Sequence, residues 1–146
     1  MAGLQAGTGP GPHCNRRIKE HMPVVFVLFS SLLIKHYLAD FVLQPKWMLA
    51  GKGRLGAPGG YAHAAVHAAG SGLLTAACGV AGPLVAAIMA GEFLVHYGVD
   101  FAKDHISERS QVERSPKLYW QLHGLDQLAH QMTYVVITYL AMTGLG

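Results

Sequence analysis

The stretch HYLADF at residues 36–41 returns later in the chain as HYGVDF at residues 96–101. Each copy follows a long apolar segment and carries a histidine and an aspartate four positions apart. After each copy and a loop comes a second polar pair, His63 with His67 in the first half and Asp126 with His130 in the second. Residues four apart lie on one face of a helix. The repeat therefore predicts two similar helical hairpins, each carrying two polar pairs.

The composition is that of a membrane protein. Hydrophobic residues make up 51% of the 146 residues and charged residues only 13%, which is about half the usual charged share of a soluble domain. The net charge of +3 does not indicate nucleic-acid binding, because the basic residues form no basic and aromatic stripe. The two cysteines, Cys14 and Cys78, match no zinc-finger spacing.

Four apolar segments each approach the roughly 20 residues that cross a bilayer. We therefore predict an all-α fold, an integral membrane four-helix bundle built from two similar hairpins. The alternative for the N-terminus is a signal peptide, because basic residues precede the apolar run at 24–34. The predicted boundaries are a disordered tail at 1–22 and a membrane domain at 23–146, with spans at about 23–43, 61–80, 84–103 and 125–145.

Positive charge predicts the orientation of the spans. The loop between spans 1 and 2 and the loop between spans 3 and 4 share one side of the membrane, and they hold most of the lysines and arginines. The positive-inside rule places these loops in the cytoplasm and both termini outside. The basic residues of the tail favour the opposite orientation. The residues counted for the two loops are Lys46, Lys52, Arg54, Lys103, Arg109, Arg114 and Lys117.

All four polar pairs are predicted at the loop side of the membrane, in the last turns of spans 1 and 3 and the first turns of spans 2 and 4. An aspartate at mid-membrane costs about 2.5–3.5 kcal/mol on insertion scales, so a cluster of carboxylates there needs a cation. Mixed histidine and aspartate sets suit Zn, Mn or Fe(II). A metal-free proton or ion pathway and a structural polar network are the alternatives. The predicted ligands of one or two divalent transition metal ions are His36, Asp40, His63, His67, His96, Asp100, Asp126 and His130.

These motifs resemble one known family. The run HYLADFVLQ at 36–44, the later histidine and aspartate pairs, and DQ-x2-H at 126–130 are similar to the small bacterial membrane proteins grouped as "domain of unknown function 3307". The resemblance covers about residues 24–145. It implies a multi-pass protein of the bacterial inner membrane with a histidine and aspartate pattern, and it implies no activity.

The pattern favours a metal-dependent hydrolase that acts on a lipid-linked or amphipathic substrate, with membrane lipid as its surroundings. Glu92, one turn deeper than His96, is predicted as the general base or as a further ligand. Gln44 and Gln127 flank the pairs and can orient ligands, whereas Lys35 is expected to extend toward the loops. An ion- or proton-translocating protein and a non-catalytic subunit of a membrane complex remain alternatives. The oligomeric state stays open.

Overall fold

The computed structural model describes residues 12–110 and 114–145, with side chains described from Met22 onward. The described chain is all-α, as predicted, and neither range contains a strand. A π-helical turn, Leu38–Val42, continues the first helix, and its ring closes where the Leu43 amide donates to the Leu38 carbonyl at 2.8 Å. The helices are α1 (Pro12–Tyr37), α2 (Lys46–Leu49), α3 (Pro58–Ala77), α4 (Gly82–Ser110) and α5 (Pro116–Gly144).

The helix boundaries differ from the predicted spans at two places. Helix α4 runs on to Ser110 and α5 begins at Pro116, so most of the polar segment at 104–123, predicted as a loop, is helical. Hydropathy marks where an apolar run ends, but Lys, Glu and Arg continue a helix readily, and proline is favoured at a first helical position. Helix α1 begins at Pro12, inside the segment predicted as a tail; residues 1–11 lie outside the described residues.

A tight turn over residues 78–81 joins α3 to α4. Gly79 has φ +85°, a left-handed conformation that only glycine adopts without strain. Its amide donates to the Ala76 carbonyl at 2.9 Å, and the next amide, Val80, donates to Thr75 at 3.2 Å. This is a Schellman motif, which satisfies the last carbonyls of α3. Because this turn reverses the chain direction, α3 and α4 pack side by side in antiparallel orientation.

The four long helices form a closed square. Helix α1 packs against α3 and α5, and α4 packs against the same two helices. Helices α1 and α4 therefore occupy opposite corners, as do α3 and α5. A two-fold arrangement of the two hairpins requires this order, although the internal repeat itself stays a prediction.

Each long helix has a series of residues, spaced four apart, that faces the interior. Polar side chains fill these positions at the end of the bundle nearest the loops, and apolar side chains of α1 and α4 close the other end. The inward series are Leu28, Leu32, His36 and Asp40 from α1 and its π turn; His63, His67, Ser71 and Thr75 from α3; Ile88, Glu92, His96 and Asp100 from α4; and Asp126, His130, Tyr134 and Thr138 from α5.

The outside of the bundle is apolar while much of its interior is polar, the reverse of a soluble domain. Large apolar side chains such as Leu73 and Leu94 are 73% and 69% exposed. Two segments, Met22–Val42 and Gly82–Ser110, are long and apolar enough to cross a membrane.

Candidate metal centre

The four polar pairs meet in one cluster at the loop end of the bundle. The ring centroids of His67 and His96 are 3.7 Å apart, and those of His96 and His130 are 4.1 Å apart. His63 and His36 join the same cluster, with centroids 4.9 Å from His96 and 5.3 Å from His67 respectively. Side chains of both hairpins thus share one site, and His96 lies at its centre.

The π turn places the carboxylate of Asp40 among three imidazoles. Asp40 Oδ1 lies 3.1 Å from His63 Nε2 and 3.0 Å from His67 Nε2, and Oδ2 lies 3.3 Å from His36 Nε2. Single π turns are rare and occur often at functional sites. Here the turn ends α1 with a carboxylate directed into the bundle.

Asp40, His63, His67 and His96 form the first group that can hold a metal ion. Each offers one ligand atom, and the four atoms lie within 4.8 Å of one another. Two ligands of a tetrahedral Zn²⁺, each bonded at roughly 2.0–2.1 Å, are about 3.3 Å apart. Asp40 is hydrogen-bonded to His67 Nε2 at 3.0 Å and lies 3.1 Å from His63 Nε2, close to that spacing. The group therefore has the donor set of a four-coordinate site.

His96, Asp100 and His130 form a second group, again with ligand atoms within 4.8 Å. Asp100 Oδ1 is 3.5 Å from His130 Nε2, and Oδ2 is 3.6 Å from His96 Nε2 and 3.5 Å from His63 Nε2. The two groups share His96, so they are adjoining parts of one cluster.

Three imidazole nitrogens in this cluster are buried without a hydrogen-bond partner among the described residues. They are the Nε2 atoms of His63, His96 and His130. With the Gln44 amide oriented to suit its neighbours, its oxygen accepts from His63 Nδ1 at 3.1 Å. That bond leaves the lone pair of His63 Nε2 directed at the carboxylates, the arrangement typical of a metal-bound histidine. Buried polar atoms are rarely left unpaired. A cation in a group with Asp40 would satisfy His63 and His96, and one in a group with Asp100 would satisfy His96 and His130.

Two of the eight predicted ligands, His36 and Asp126, belong to neither group. His36 has the Tyr134 hydroxyl 3.0 Å from Nδ1 and the Gln127 amide oxygen 3.1 Å from Nε2. Asp126 Oδ2 accepts from Lys103 at 3.1 Å and from Gln127 at 3.2 Å, while Oδ1 lies 3.5 Å from His130. Both residues contact the ligands, so they orient the cluster from its edge. The expectation that Gln127 hydrogen-bonds to the pairs agrees with these contacts.

Lys35 does not extend toward the loops, which corrects the expectation from its sequence position. Its Nζ donates to Glu92 Oε1 at 2.6 Å, to the Tyr134 hydroxyl at 3.2 Å and to the His67 carbonyl at 3.2 Å. Three acceptors, one of them a buried carboxylate, compensate the ammonium for the loss of water. Glu92, predicted as the catalytic base, lies one turn deeper than the metal-capable groups, and its Oε2 has no hydrogen-bond partner among the described residues. Its catalytic role stays a prediction.

Lys52 is a member of the site that the sequence did not reveal. It comes from the glycine-rich loop before α3, is only 7% exposed, and places Nζ 2.8 Å from Asp100 Oδ2. In the same orientation of Gln44, Lys52 also donates to the amide oxygen at 2.9 Å. A loop lysine is ordinarily solvated, and no periodicity connects Lys52 to a helix face. Its sequence therefore carries no signal of this position.

Tyr134 was also missed, although a signal for it exists. Its hydroxyl lies within hydrogen-bond distance of Lys35, His36 and, at 3.4 Å, His67 Nδ1. Tyr134 continues the step of four from Asp126 and His130 by one more turn of α5. Extending the periodicity inward would have found it.

The family model described as "Protein of unknown function (DUF3307)" matches residues 28–145, so the chain belongs to this family. This confirms the resemblance drawn from the histidine and aspartate motifs. The family description assigns no activity. No curated protein and no solved structure matches the chain.

Proposed function

We propose that this chain is a four-span membrane protein whose loop-side cluster binds a divalent transition metal, Zn, Mn or Fe, as one or two ions. The observation that carries the proposal is a set of three buried Nε2 atoms that face the carboxylates of Asp40 and Asp100 and have no hydrogen-bond partner in the described part of the chain. Neutral imidazole and carboxylate are ligands that these metals share. The fit extends to the surroundings, since Gln44 holds one ring in the ligand tautomer.

The distribution of exposed residues supports the four spans. Helix α1 with its π turn, and helix α4, supply the two segments of the described chain that are apolar enough to cross a membrane. Helices α3 and α5 bury their polar series inside the bundle and expose apolar side chains such as Leu73 and Tyr139, as a helix in lipid does. The positive charge of the loops favours an orientation with the cluster near the cytoplasmic face of a bacterial inner membrane.

A hydrolytic reaction is the chemistry that this site suits best. A bound divalent ion lowers the pKa of its water and supplies a nucleophile at neutral pH. An apolar groove of about 460 Å³ runs between α1 and α3, and its lining includes Leu38, Leu43 and Leu73. The groove reaches Ala39, the neighbour of Asp40 in the π turn. An acyl or prenyl chain in this groove would bring the head of a lipid-linked substrate toward the metal.

Metal analysis tests the first part of the proposal. Detergent-purified protein should contain about one or two equivalents of a transition metal by elemental mass spectrometry. His96→Ala should lose most of that metal, because both groups share this imidazole. His105→Ala is the matched control, since His105 lies on the same helix, stacked on Phe101 and outside both groups. A metal-free wild type, or equal metal in the wild type and His96→Ala, would refute metal binding.

Metal-dependent hydrolysis of lipid-linked esters or phosphates, absent in His96→Ala, tests the reaction.

Ion or proton translocation is the second candidate, and one observation favours it. The polar series of α3 continues past the cluster to Ser71 and Thr75, and that of α5 to Thr138, all of them buried. These hydroxyls lead toward the far side of the bundle, but Leu28, Leu32 and Ile88 close that end.

If the protein translocates ions, proteoliposomes should show metal or proton uptake that Asp100→Asn abolishes. Equal flux with wild type, Asp100→Asn and empty vesicles would exclude this candidate.

A further inference from the structure

Three of the four acidic side chains that face the interior of the bundle already have an ammonium partner. Each partner comes from a different part of the chain: one from inside α1, one from the loop before α3 and one from α4. All three pairs lie within hydrogen-bond distance, so these carboxylates are neutralised without any metal. The pairs are Lys35 with Glu92 at 2.6 Å, Lys52 with Asp100 at 2.8 Å and Lys103 with Asp126 at 3.1 Å.

Asp40 is the exception. Its ion-pair contacts within the described residues are all with histidines, at 3.0–3.3 Å. A neutral imidazole brings no charge, so among the described residues the carboxylate of Asp40 is the one of these four that lacks an ammonium partner. A divalent ion placed there is balanced in part by Asp40, whereas one placed at Asp100 adds its whole charge to a pair that is already neutral.

His96, the histidine that both groups share, also favours an ion in the first group. A neutral imidazole has a single nitrogen lone pair, so His96 can serve one ion at a time. Assigned to the first group, it completes a four-ligand set with Asp40, His63 and His67. The second group then retains only Asp100 and His130, with Lys52 held on the same carboxylate.

We propose, resting on the metal binding proposed above, that one divalent ion binds at Asp40, His63, His67 and His96, and that the ammonium of Lys52 is the built-in cation of the second group. Lys52 thereby excludes a second ion. Removing the Lys52 ammonium would leave Asp100 without its ion-pair partner. Asp126 Oδ1 has no hydrogen-bond partner among the described residues and lies 3.5 Å from His130. Asp100, His130 and Asp126 would then form a second site.

Zn²⁺ titration of metal-free, detergent-purified protein tests this inference. Wild type should bind one equivalent and Lys52→Met two. Lys103→Met is the matched control, because Lys103 pairs with Asp126 outside both groups; it should stay at one. Two equivalents in the wild type, or one in folded Lys52→Met, would overturn the inference and leave metal binding intact. No Zn²⁺ in either protein would overturn the proposed function as well.

Two histidine variants keep the inference testable if Lys52→Met does not fold. His67→Ala should lose the single equivalent, because His67 belongs to the first group. His130→Ala should retain it, because His130 belongs only to the second. The opposite pattern, with metal retained in His67→Ala and lost in His130→Ala, would place the ion at Asp100 and contradict the assignment of Lys52.

Discussion

Lys35→Met should destabilise the folded protein by about 3–5 kcal/mol, because removing one partner of a buried ion pair leaves the other charge uncompensated. Glu92 has a side chain only 2% exposed and pairs with Lys35 at 2.6 Å. Methionine retains the apolar stem of the side chain, so the loss is that of the ammonium. The free energy of unfolding in detergent, measured with a chelator present, reports the effect.

The double variant Lys35→Met/Glu92→Gln separates charge from packing. Replacing the carboxylate by an amide removes the unpaired charge, so the double variant should recover much of the lost stability. Lys46→Met, on the exposed surface of α2, is the matched control and should change stability by less than about 0.5 kcal/mol. If Lys35→Met is as stable as the wild type, the interior pair contributes nothing to stability and its assignment is wrong.

Gly59→Ala should destabilise the loop that carries Lys52 by about 1–3 kcal/mol, the usual range for overpacking a close contact. A Cβ at Gly59 would lie 2.5 Å from the Trp47 carbonyl oxygen and 2.8 Å from that of Met48. Both are backbone atoms, so they cannot move aside as a flexible side chain does. A loss of stability would be informative, because alanine favours a helix over glycine and would otherwise stabilise the first turn of α3.

Gly56→Ala is the matched control for this substitution. A Cβ at Gly56 meets no atom within 4 Å, so this change should leave stability unaltered. Thermal unfolding of both variants, together with limited proteolysis of the 50–60 loop, compares them directly. Equal proteolysis rates and equal melting temperatures for Gly59→Ala and wild type would show that the loop does not depend on this close approach.

Helical periodicity predicted much of the site. The steps of four at His36, His63, His96 and Asp126 place each pair on one helix face whatever the helix packs against. Their positions at the ends of apolar segments place all four pairs on one side of the bundle. Both statements need only local structure and hydropathy, which is why the all-α fold, the family and the meeting of the pairs were available from the sequence.

The roles inside the cluster depend on contacts between distant parts of the chain. Whether an imidazole faces a carboxylate or an amide depends on helix rotation, and the π turn at Leu38–Val42 sets that rotation for Asp40. Rotation of this kind separates His36, held by Tyr134 and Gln127, from His63 and His67, which belong to a group that can hold a metal ion. Propensity does not predict a π turn, because it depends on the packing around it.

The sequence by itself determined that four long helices form, on which faces their polar residues lie and at which end of the bundle those residues gather, because these follow from a 3.6-residue repeat and from the ends of the apolar runs. Only the tertiary structure decided which charges pair. The direction of Lys35, the entry of Lys52 and the position of His96 between two groups arise from packing across helices and a loop. A buried charge takes whichever partner the fold brings within about 3 Å, since the low interior dielectric makes that contact outweigh longer-range interactions.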